Sequence, residues 1–388
     1  MILVPSKMGR MNRLALLTRV HQMGVASRAD LAKSLGLSQP TCGKIVDGLL
    51  RAGLLENAPD DGPQGASSRP PRRRLGRPGQ LVRLNRTKPR FVAIELGVNH
   101  TRLAPLPLGI AGEDAWGGSF ATPTSVEAWG RELRRAARAM HVNELAGVLM
   151  SVPGILDERT GRVLFSPNLH WTEQADLAGA IRRVWKAPVV LVQEERALAL
   201  GHQYVTPERE DFLLVDFGDG VGGAVLVAGR VQATSLPISG ELGHTPVRGN
   251  NRQCGCGAVG CLETLVSTGG LVRSFREAHP TRPASWAALK ECIARDGIED
   301  WLADSLEATA VVIAGALNVI GLRHVVLTGN LADLPPPVLA FLSGAIQRGA
   351  VWARFGQVEV EAAPRRRAAG LVAVGIERLV MTAPTAPD

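Results

Sequence analysis

Three cysteines and a histidine stand close enough along the chain to bind one metal ion. Cys254, Cys256 and Cys261 fall within eight residues, and His244 precedes Cys254 by ten. Three thiolates and one imidazole complete the closed tetrahedral shell of a structural zinc site, and the intervening glycines let a short loop bend around the ion. The alternative is three reduced cysteines in a flexible loop. The pattern favours structural Zn²⁺ held by His244, Cys254, Cys256 and Cys261.

The first ninety residues carry a positive charge that the rest of the chain lacks. Residues 1–90 hold 17 Lys/Arg against 5 Asp/Glu, in a chain of 388 residues whose net charge is +8. The remainder is therefore mildly acidic. A basic segment on an acidic body is typical of a polyanion-binding module attached to another domain. The alternative is a basic face that serves solubility alone.

Helical spacing and capping predict three helices in this basic segment. Ser27 is a good N-cap with Asp30 at the third helical position, Gly36 lies in the following turn, and Ser38 caps a third helix over residues 39–52. Helix, glycine-containing turn, helix is the helix-turn-helix order. The apolar positions of the three helices are Leu14, Leu17, Val20 and Met23, then Leu31, Leu35 and Leu37, then Ile45, Val46, Leu49 and Leu50.

The start of the third helix holds the side chains expected to contact double-stranded DNA. They are Ser38, Gln39, Thr41, Cys42 and Lys44, because the N-terminal residues of a recognition helix reach base edges. Cys42 and Cys292 each stand alone in the sequence. Both are expected to be inert buried thiols, which for Cys42 is the alternative to a contact with DNA. The alternative for the whole segment is a three-helix bundle without a nucleic-acid partner.

Two short strands at residues 54–57 and 80–84 follow the third helix and predict a wing around a long polar insert, residues 57–80. The insert contains Arg77 in the turn sequence GRPG. An arginine at a wing tip can enter the narrow minor groove of A·T-rich DNA. The alternative is a flexible basic linker that contacts phosphates only. The winged helix-turn-helix domain then spans residues 1–88.

From residue 89 onwards the pattern changes to α/β. Apolar strand segments begin at Phe91, Ala146, Val189, Phe212 and His324, and alanine-rich helical stretches lie between them. We expect a first lobe at about 89–195 with the C-terminal helix, and a second lobe at about 196–368. No uncharged apolar run is long enough for a membrane span and no signal peptide is evident, so the cytoplasm is the expected location.

Seven segments of the chain form recognisable motifs: SRADLA at 27–32, GRPG at 76–79, SVPGI at 151–155, SPNLHW at 166–171, GDGVG at 218–222, GELGH at 240–244, and the cysteine loop followed by LE at 262–263. Together they resemble, from end to end, the ROK family of repressors and sugar kinases in its repressor form. The last two motifs, in this order and at this distance, are the most specific. This resemblance implies an α/β chain with an N-terminal winged helix-turn-helix and a two-lobed actin/hexokinase-like (ribonuclease H-like) ROK domain.

The resemblance also implies a ligand set, because the kinases of this family bind a hexose through carboxylates, an amide and a histidine. Carboxylates suit sugars because they accept hydrogen bonds from adjacent hydroxyls. The alternative for Glu241 and Glu263 is a structural role around the zinc loop. The corresponding residues here are Asn168, Glu241, His244 and Glu263, with Gln193 and Glu194 beside them.

The chain departs from the kinase pattern at each phosphate-handling position. The first loop, Asp-x-Gly-Gly-Thr in kinases, ends here in Val98-Asn99, and the second, Gly-Thr-Gly, has Asp219 at its centre. The catalytic Asn-Asp pair aligns with Gln193-Glu194, or with a one-residue shift that selects Glu195. A carboxylate near nucleotide phosphates is repulsive, and base geometry is sensitive to one methylene. We therefore expect no catalytic residue, with Glu194 at a degenerate base position.

The sequence thus predicts a DNA-binding transcriptional regulator, a repressor of carbohydrate-related genes. Its expected partners are a double-stranded DNA operator, a sugar-type effector and further copies of the chain in a homodimer or homotetramer. Ligand binding would change the angle between the lobes and so the spacing of the DNA-binding heads. One alternative is an active sugar kinase with an N-terminal DNA-binding head. The other is a regulator controlled by a protein partner.

Overall fold

The N-terminal head contains three helices and a small sheet. A computed structural model describes residues 5–58, 80–110, 116–140, 142, 144–232 and 238–380. The predicted wing-tip residue Arg77 lies outside these residues. The head elements are α1 (Pro5–Met23), β1 (Ala26–Ser27), α2 (Arg28–Leu35), α3 (Gln39–Arg51), β2 (Leu55–Asn57) and β3 (Leu81–Leu84).

The predicted caps organise the helix-turn-helix. Ser27 Oγ accepts a hydrogen bond from the Asp30 amide at 3.1 Å and donates one to the Asp30 carboxylate at 2.6 Å. Gly36 ends α2 in the left-handed conformation with φ 64°, which costs glycine little. Ser38 Oγ accepts from the Thr41 amide at the start of α3, at 3.3 Å. The predicted winged helix-turn-helix is confirmed, with β2 and β3 antiparallel.

Two details of the head differ from the sequence-based expectation. Met23 is 40% exposed, and the buried face of α1 is instead formed by Leu16, Leu17 and Val20. Leu16 belongs to the apolar cluster that includes the head residues Leu31, Val46 and Val82, whereas Met23, the last residue of α1, lies outside that cluster. Cys42 is fully buried beside the Arg28 carbonyl, so its assignment as a base-contacting residue was wrong and its assignment as a buried thiol was right.

The first lobe of the body is a five-stranded sheet in the order β10-β7-β4-β5-β6, in which β4, β7 and β10 are parallel and β5 and β6 are antiparallel additions. A two-stranded ribbon of β8 and β9 lies beside it. The elements are β4 (Phe91–Leu96), β5 (His100–Leu106), β6 (Gly118–Ala121), α4 (Val126–Ala137), β7 (Gly147–Val152), β8 (Ile155–Asp157), β9 (Arg162–Phe165), α5 (Leu177–Arg182), β10 (Val189–Gln193) and α6 (Glu194–Val205).

The second lobe repeats this arrangement with the order β13-β12-β11-β14-β15, again antiparallel on one side and parallel on the other. Such a repeat places the carboxyl ends of β4 and β11 face to face, at the edge where α/β sheets bind ligands. The elements are β11 (Phe212–Phe217), β12 (Val221–Val227), β13 (Arg230–Val231), α7 (Glu263–Val266), α8 (Thr268–Ala278), α9 (Trp286–Asp296), α10 (Asp300–Ile320), β14 (His324–Gly329), α11 (Pro336–Gly349), β15 (Glu359–Ala362) and α12 (Arg367–Gly375).

Helices α6 and α12 form a close pair that ties the C-terminus to the first lobe. A Cβ at Gly201 would lie 1.8 Å from the Arg366 carbonyl, and one at Gly370 would lie 1.7 Å from the Ala197 carbonyl. Only glycine permits backbones to approach this closely. Helix α12 also packs on β4 and β7, whereas α6 packs on β10 of the first lobe and on β11 and β12 of the second, so the pair connects the two lobes.

Among the described helices, α10 alone is long and apolar enough to span a membrane. One side of it, including Leu306, Ile313 and Leu317, is buried in the second-lobe core, whereas Val311 and Val319 are 68% and 87% exposed. A core helix of this kind meets the same criteria of length and composition, so the finding is weak evidence for a membrane span.

Candidate functional site: an interlobe cleft beside a metal-ligand cluster

A cleft of about 490 Å³ opens between the lobes at the carboxyl ends of β4 and β11. The structure brings all six ligand residues predicted from the sequence to its walls. Gln193 and Glu194 stand at the start of α6, and Glu263 stands at the start of α7. The six residues are Asn168, Gln193, Glu194, Glu241, His244 and Glu263.

One wall of the cleft adjoins the four side chains predicted to bind a metal. His244 Nδ1 lies 3.6 Å from Cys254 Sγ, and Cys256 Sγ lies 3.8 Å from Cys261 Sγ. Tetrahedral zinc, with Zn–S near 2.3 Å and Zn–N near 2.0 Å, requires separations of about 3.6 Å and 3.8 Å for such pairs. All four ligand atoms lie within 4.8 Å of one another, so the donor set and its spacing fit one ion.

The loop that carries the cysteines is held by its own backbone. Gly257 and Gly260 adopt φ values of 91° and 87°, which allow the tight turns between the thiols. Asn250 Nδ2 donates to the Cys261 carbonyl at 3.0 Å. On the cleft side, His244 Nε2 faces Glu241 Oε2 at 3.7 Å. A metal bound at His244 Nδ1 would therefore orient the ring whose other nitrogen faces the cleft.

A second group of potential metal ligands, His279, Cys292 and Glu299, also lies within 4.8 Å. Its groups already have protein partners, since His279 Nε2 lies 2.6 Å from Glu299 Oε2 and Arg282 Nη1 lies 2.8 Å from Cys292 Sγ. A guanidinium in contact with the thiol disfavours a cation there. This group is an ion-pair network, and Cys292 is a buried thiol, as expected.

Two arginines that the sequence reasoning missed occupy the floor of the cleft. Arg365 donates to both carboxylate oxygens of Asp216, at 2.7 and 2.8 Å, and Thr328 Oγ1 donates to the same carboxylate at 2.7 Å. Burial alone would raise the pKa of Asp216, but the ion pair with Arg365 holds that pKa below its ordinary value. Asp216 is therefore a fully paired anion.

Arg367 is the second of these arginines, and it is 2% exposed. Its guanidinium lies 3.0 Å from Glu95 at the end of β4 and contacts Glu194 at the start of α6. Arg102 donates to Glu95 as well, at 2.7 Å. The only sequence signal for this cluster is the run of three arginines at 365–367, and nothing in that run indicates its partners.

Two of the residues that depart from the kinase loops, Asn99 and Asp219, meet between the lobes. Asn99 Nδ2, in the first lobe, donates to Asp219 Oδ2, in the second, at 3.3 Å. The two substitutions thus form one contact between the lobes. Asp219, which was expected to repel phosphates, carries its negative charge at this contact between the lobes.

Glu195 behaves differently from its neighbour Glu194. Both line the cleft, but Glu195 Oε2 is buried and has no hydrogen-bond partner among the described residues. Burial raises the pKa of Glu195 well above its ordinary value, and the nearby charge of Glu194 raises it further. The sequence left open whether Glu194 or Glu195 aligns with the catalytic base of the kinases. In the structure Arg367 neutralises Glu194, whereas no arginine pairs with Glu195 among the described residues.

The predicted DNA-contacting side chains of α3 lie together on the head surface. Ser38, Gln39, Thr41 and Lys44 are all exposed. The hydroxyls of Ser38 and Thr41 lie 2.8 Å apart within the helix cap, which leaves Gln39 and Lys44 as the longer side chains that extend from this surface.

The head contacts the body through α1 and α6. The ring of His21 stacks on Tyr204 with centroids 3.6 Å apart, and His21 Nε2 contacts the Tyr204 carbonyl. Tyr204 is fixed in turn, because its hydroxyl donates to the Leu108 carbonyl at 2.6 Å. Helix α6 therefore has Glu194 and Glu195 in the cleft at one end and the head at the other.

Family models match both parts of the chain. The model for the ROK family matches residues 117–380, and the model for the MarR family matches residues 10–62. The chain is 23% identical to the xylose repressor of Caldicellulosiruptor bescii over 84% of each chain. It is 23% identical to the DNA-binding transcriptional dual regulator NagC of Escherichia coli over 88% of this chain and 86% of that protein.

A third relative, the putative xylose repressor of a Caldicellulosiruptor species, is 26% identical, and the match spans 68% of this chain and 65% of that protein's length. Among solved structures, a ROK family transcriptional regulator, a homologue of the Escherichia coli Mlc protein, matches 96% of this chain with a TM-score of 0.74 at 20% identity. A ROK family glucokinase from Streptomyces griseus matches 74% with a TM-score of 0.57 at 20% identity. These likenesses show the fold.

Removing Arg367 should be strongly destabilising. Arg367→Met leaves the Glu194 carboxylate without its cation and Glu95 with Arg102 alone, which costs about 3–5 kcal/mol. Glu194→Gln in the same chain should recover part of this loss. The matched control is Arg348→Met, because Arg348 pairs with Glu307 on the surface and such pairs contribute about 0–1 kcal/mol. Melting curves compare the four proteins, and an Arg367→Met protein as stable as Arg348→Met would contradict the account of the cleft floor.

Proposed function

Because this chain belongs to the ROK family, we propose that it is a sugar-responsive transcriptional repressor of carbohydrate-related genes. One observation carries the proposal: helix α6 lines the cleft at its start and contacts the helix-turn-helix head near its end. The matches to the xylose repressor and to the dual regulator NagC cover 84% and 88% of this chain, which is more than the body alone. We divide the chain into a DNA-binding unit of residues 1–88 and a ligand-binding unit of residues 89–388, both acting in the cytoplasm.

The head would bind double-stranded DNA through α3 in the major groove. Exposed Gln39 and Lys44 project from the start of that helix, as base and phosphate contacts require. Arg77 remains a proposed minor-groove contact. Operators read by helix-turn-helix proteins have two-fold symmetry, so the working state is a homodimer or homotetramer, and the exposed apolar side of α10 at Val311 and Val319 is a candidate face for it.

The cysteine cluster would hold structural Zn²⁺ through His244, Cys254, Cys256 and Cys261. The geometry of the four ligand atoms supports this, and a closed set of three thiolates and one imidazole leaves no position for a reacting water. When bound, the ion would stabilise the second lobe. His244 and the neighbouring Glu241 would then keep the orientation in which they face the ligand.

The effector would be a sugar bound by Asn168, Gln193, Glu194, Glu241, His244 and Glu263 without being phosphorylated. Phosphoryl transfer needs a free base and room for Mg²⁺ beside the phosphates. Here Arg367 contacts Glu194 at the base position, and Arg365 saturates Asp216. The alternative of an active sugar kinase is favoured only by the fold it shares with the ROK glucokinase, and fold alone does not fix activity.

The signal would travel along α6. A ligand that changes the angle between the lobes moves the start of α6 through Glu194, and the rigid pairing with α12 transmits this motion to Tyr204 and His21. Coupling requires an element with different positions in the two states. The other alternative, control by a protein partner, would use the same helix but not the cleft.

Replacing a cysteine should separate the metal cluster from the isolated thiol. Protein purified without chelator should contain one zinc per chain by elemental analysis. Cys256→Ser should lose the metal and lower the melting temperature of the body, because the binding free energy of a structural zinc is part of the folding free energy. Cys292→Ser is the matched control and should keep its zinc. Zinc-free wild-type protein, or metal loss in Cys292→Ser alone, would refute the ligand assignment.

Loss of Lys44 should weaken DNA binding. The test uses a DNA fragment selected by the protein from a random pool. On this fragment Lys44→Ala should weaken the binding free energy by about 1 kcal/mol or more, which raises Kd about fivefold or more. Lys186→Ala, at an exposed lysine of the body, should leave Kd unchanged. Binding should also fall steeply with salt, because phosphate contacts release counterions. Equal Kd values for the two variants, or a flat salt response, would count against α3 as the recognition helix.

Breaking the contact between head and body should uncouple the two functions. His21→Ala should keep DNA affinity within about threefold and keep sugar binding, but should lose the effect of the sugar on DNA affinity, since that coupling is carried by a small free energy of about 1–3 kcal/mol. Gln22→Ala, at the exposed neighbour on α1, is the control and should respond as the wild type does. A wild-type sugar response in His21→Ala would show that α6 is not the route.

A further inference from the structure

The cleft has far more carboxyl groups than cations. Seven carboxyl groups and three guanidinium groups line it in the part of the chain that the structure describes. Such an excess of one sign in an enclosed site repels ligands of that sign and attracts those of the other. The carboxyl groups belong to Glu95, Glu194, Glu195, Asp216, Asp219, Glu241 and Glu263, and the guanidinium groups to Arg102, Arg365 and Arg367.

All three guanidinium groups are engaged by carboxylates of the cleft floor. Arg102 donates to Glu95, Arg365 donates to Asp216, and Arg367 bridges Glu95 and Glu194. A phosphate entering the cleft would have to break one of these pairs and expose a buried carboxylate. The loss of such a buried pair is costly, so the arrangement disfavours phosphorylated sugars.

Two of the remaining four carboxyl groups already have hydrogen-bond donors. Asp219 accepts from Asn99 at 3.3 Å, and Glu263 accepts from the Val221 amide at 2.9 Å. Glu195 Oε2, by contrast, is buried without a partner. Glu241 has the His244 ring nitrogen at 3.7 Å. Glu195 and Glu241 are thus the two cleft carboxyl groups for which neither an arginine partner nor an amide donor from another residue is described. Burial raises the pKa of Glu195, so a cation bound beside it would favour the ionised form and lower that pKa.

We propose that the ligand of this cleft is an unphosphorylated sugar that carries an ammonium group, and that Glu195 and Glu241 accept this group. The proposal rests on the sugar-binding function proposed above and names its ligand class. An ammonium ion donates three hydrogen bonds, which would satisfy the buried Glu195 oxygen. A volume of about 490 Å³ accommodates a sugar of one or two rings.

A divalent cation is the competing occupant, and the same arginines argue against it. Glu194 and Asp216 are the carboxylates through which Glu195 could share a metal, and both are in contact with guanidinium groups. Two positive charges on a metal would meet two more at close range. A single ammonium charge on the far side, at Glu195 and Glu241, avoids that repulsion.

Calorimetric titrations of the full-length zinc-containing protein at pH 6.5, where the amino group of a 2-amino sugar is protonated, test the proposal with matched sugars. The pairs are glucose and glucosamine, mannose and mannosamine, and galactose and galactosamine, with N-acetylglucosamine, glucosamine 6-phosphate and MgCl₂ as further probes. In at least one pair the amino sugar should bind tenfold or more tightly than the neutral sugar. N-acetylglucosamine and glucosamine 6-phosphate should not show this advantage. Acetylation removes the positive charge, and phosphorylation adds a negative charge that the cleft repels.

Substitution of Glu195 identifies the acceptor. Glu195→Gln keeps the size of the side chain and should remove the tenfold preference while leaving binding of the neutral sugar intact. Glu208→Gln, at an exposed glutamate just beyond α6, should keep the preference. Should Glu195→Gln fold poorly, as seen by its melting curve, Glu241→Gln in otherwise wild-type protein should reduce the preference in the same way.

Each contrary outcome identifies what fails. Equal or tighter binding of a neutral or phosphorylated sugar would overturn the amino-sugar proposal and leave the sugar-responsive repressor standing. Binding of Mg²⁺ alone that disappears in Glu195→Gln would overturn it in favour of a metal. If no sugar binds and no sugar changes DNA affinity, the proposed function itself fails along with the inference.

Discussion

Two guanidinium groups at the floor of the cleft hold the two lobes in register. Arg365 pairs with Asp216 at the end of β11, and Arg367, two residues later, bridges Glu95 at the end of β4 and Glu194 at the start of α6. Buried carboxylates are costly without a cation. The chain therefore passes from the second lobe to the first between Arg365 and Arg367. Helix α12 begins there and packs closely on α6.

The same ion pairs change what the fold can do. The strand ends of a two-lobed α/β fold are a natural ligand site, and in this chain the carboxylates there are neutralised from within the protein rather than by a metal and a nucleotide. The cleft can still bind a polar ligand on its other wall, where His244, Glu241 and Glu195 lie. A cleft that binds without turnover can act as a sensor, and α6 connects it to the DNA-binding head.

Local signals in the sequence were sufficient for the head and for the metal cluster. Caps at Ser27 and Ser38 and a turn at Gly36 are decided by neighbouring residues, and the cysteine loop is itself local. The arginine cluster could not be predicted, because Arg365 and Arg367 meet partners 149 and 173 residues away, at Asp216 and Glu194. Spacing on α1 also failed to separate exposed Met23 from buried Leu16, because both fit an apolar helical face and only the tertiary packing of the head decides between them.

The central claim is that this cleft binds a sugar and does not phosphorylate it. The most direct measurement follows ADP release with ATP, Mg²⁺ and the sugar that raises the melting temperature of the purified protein, since a ligand of the native state stabilises it. The account predicts that this sugar gives no ADP release above that of ATP and Mg²⁺ alone. Sugar-dependent ADP release that disappears in Glu194→Ala would contradict it and show that the chain is an enzyme.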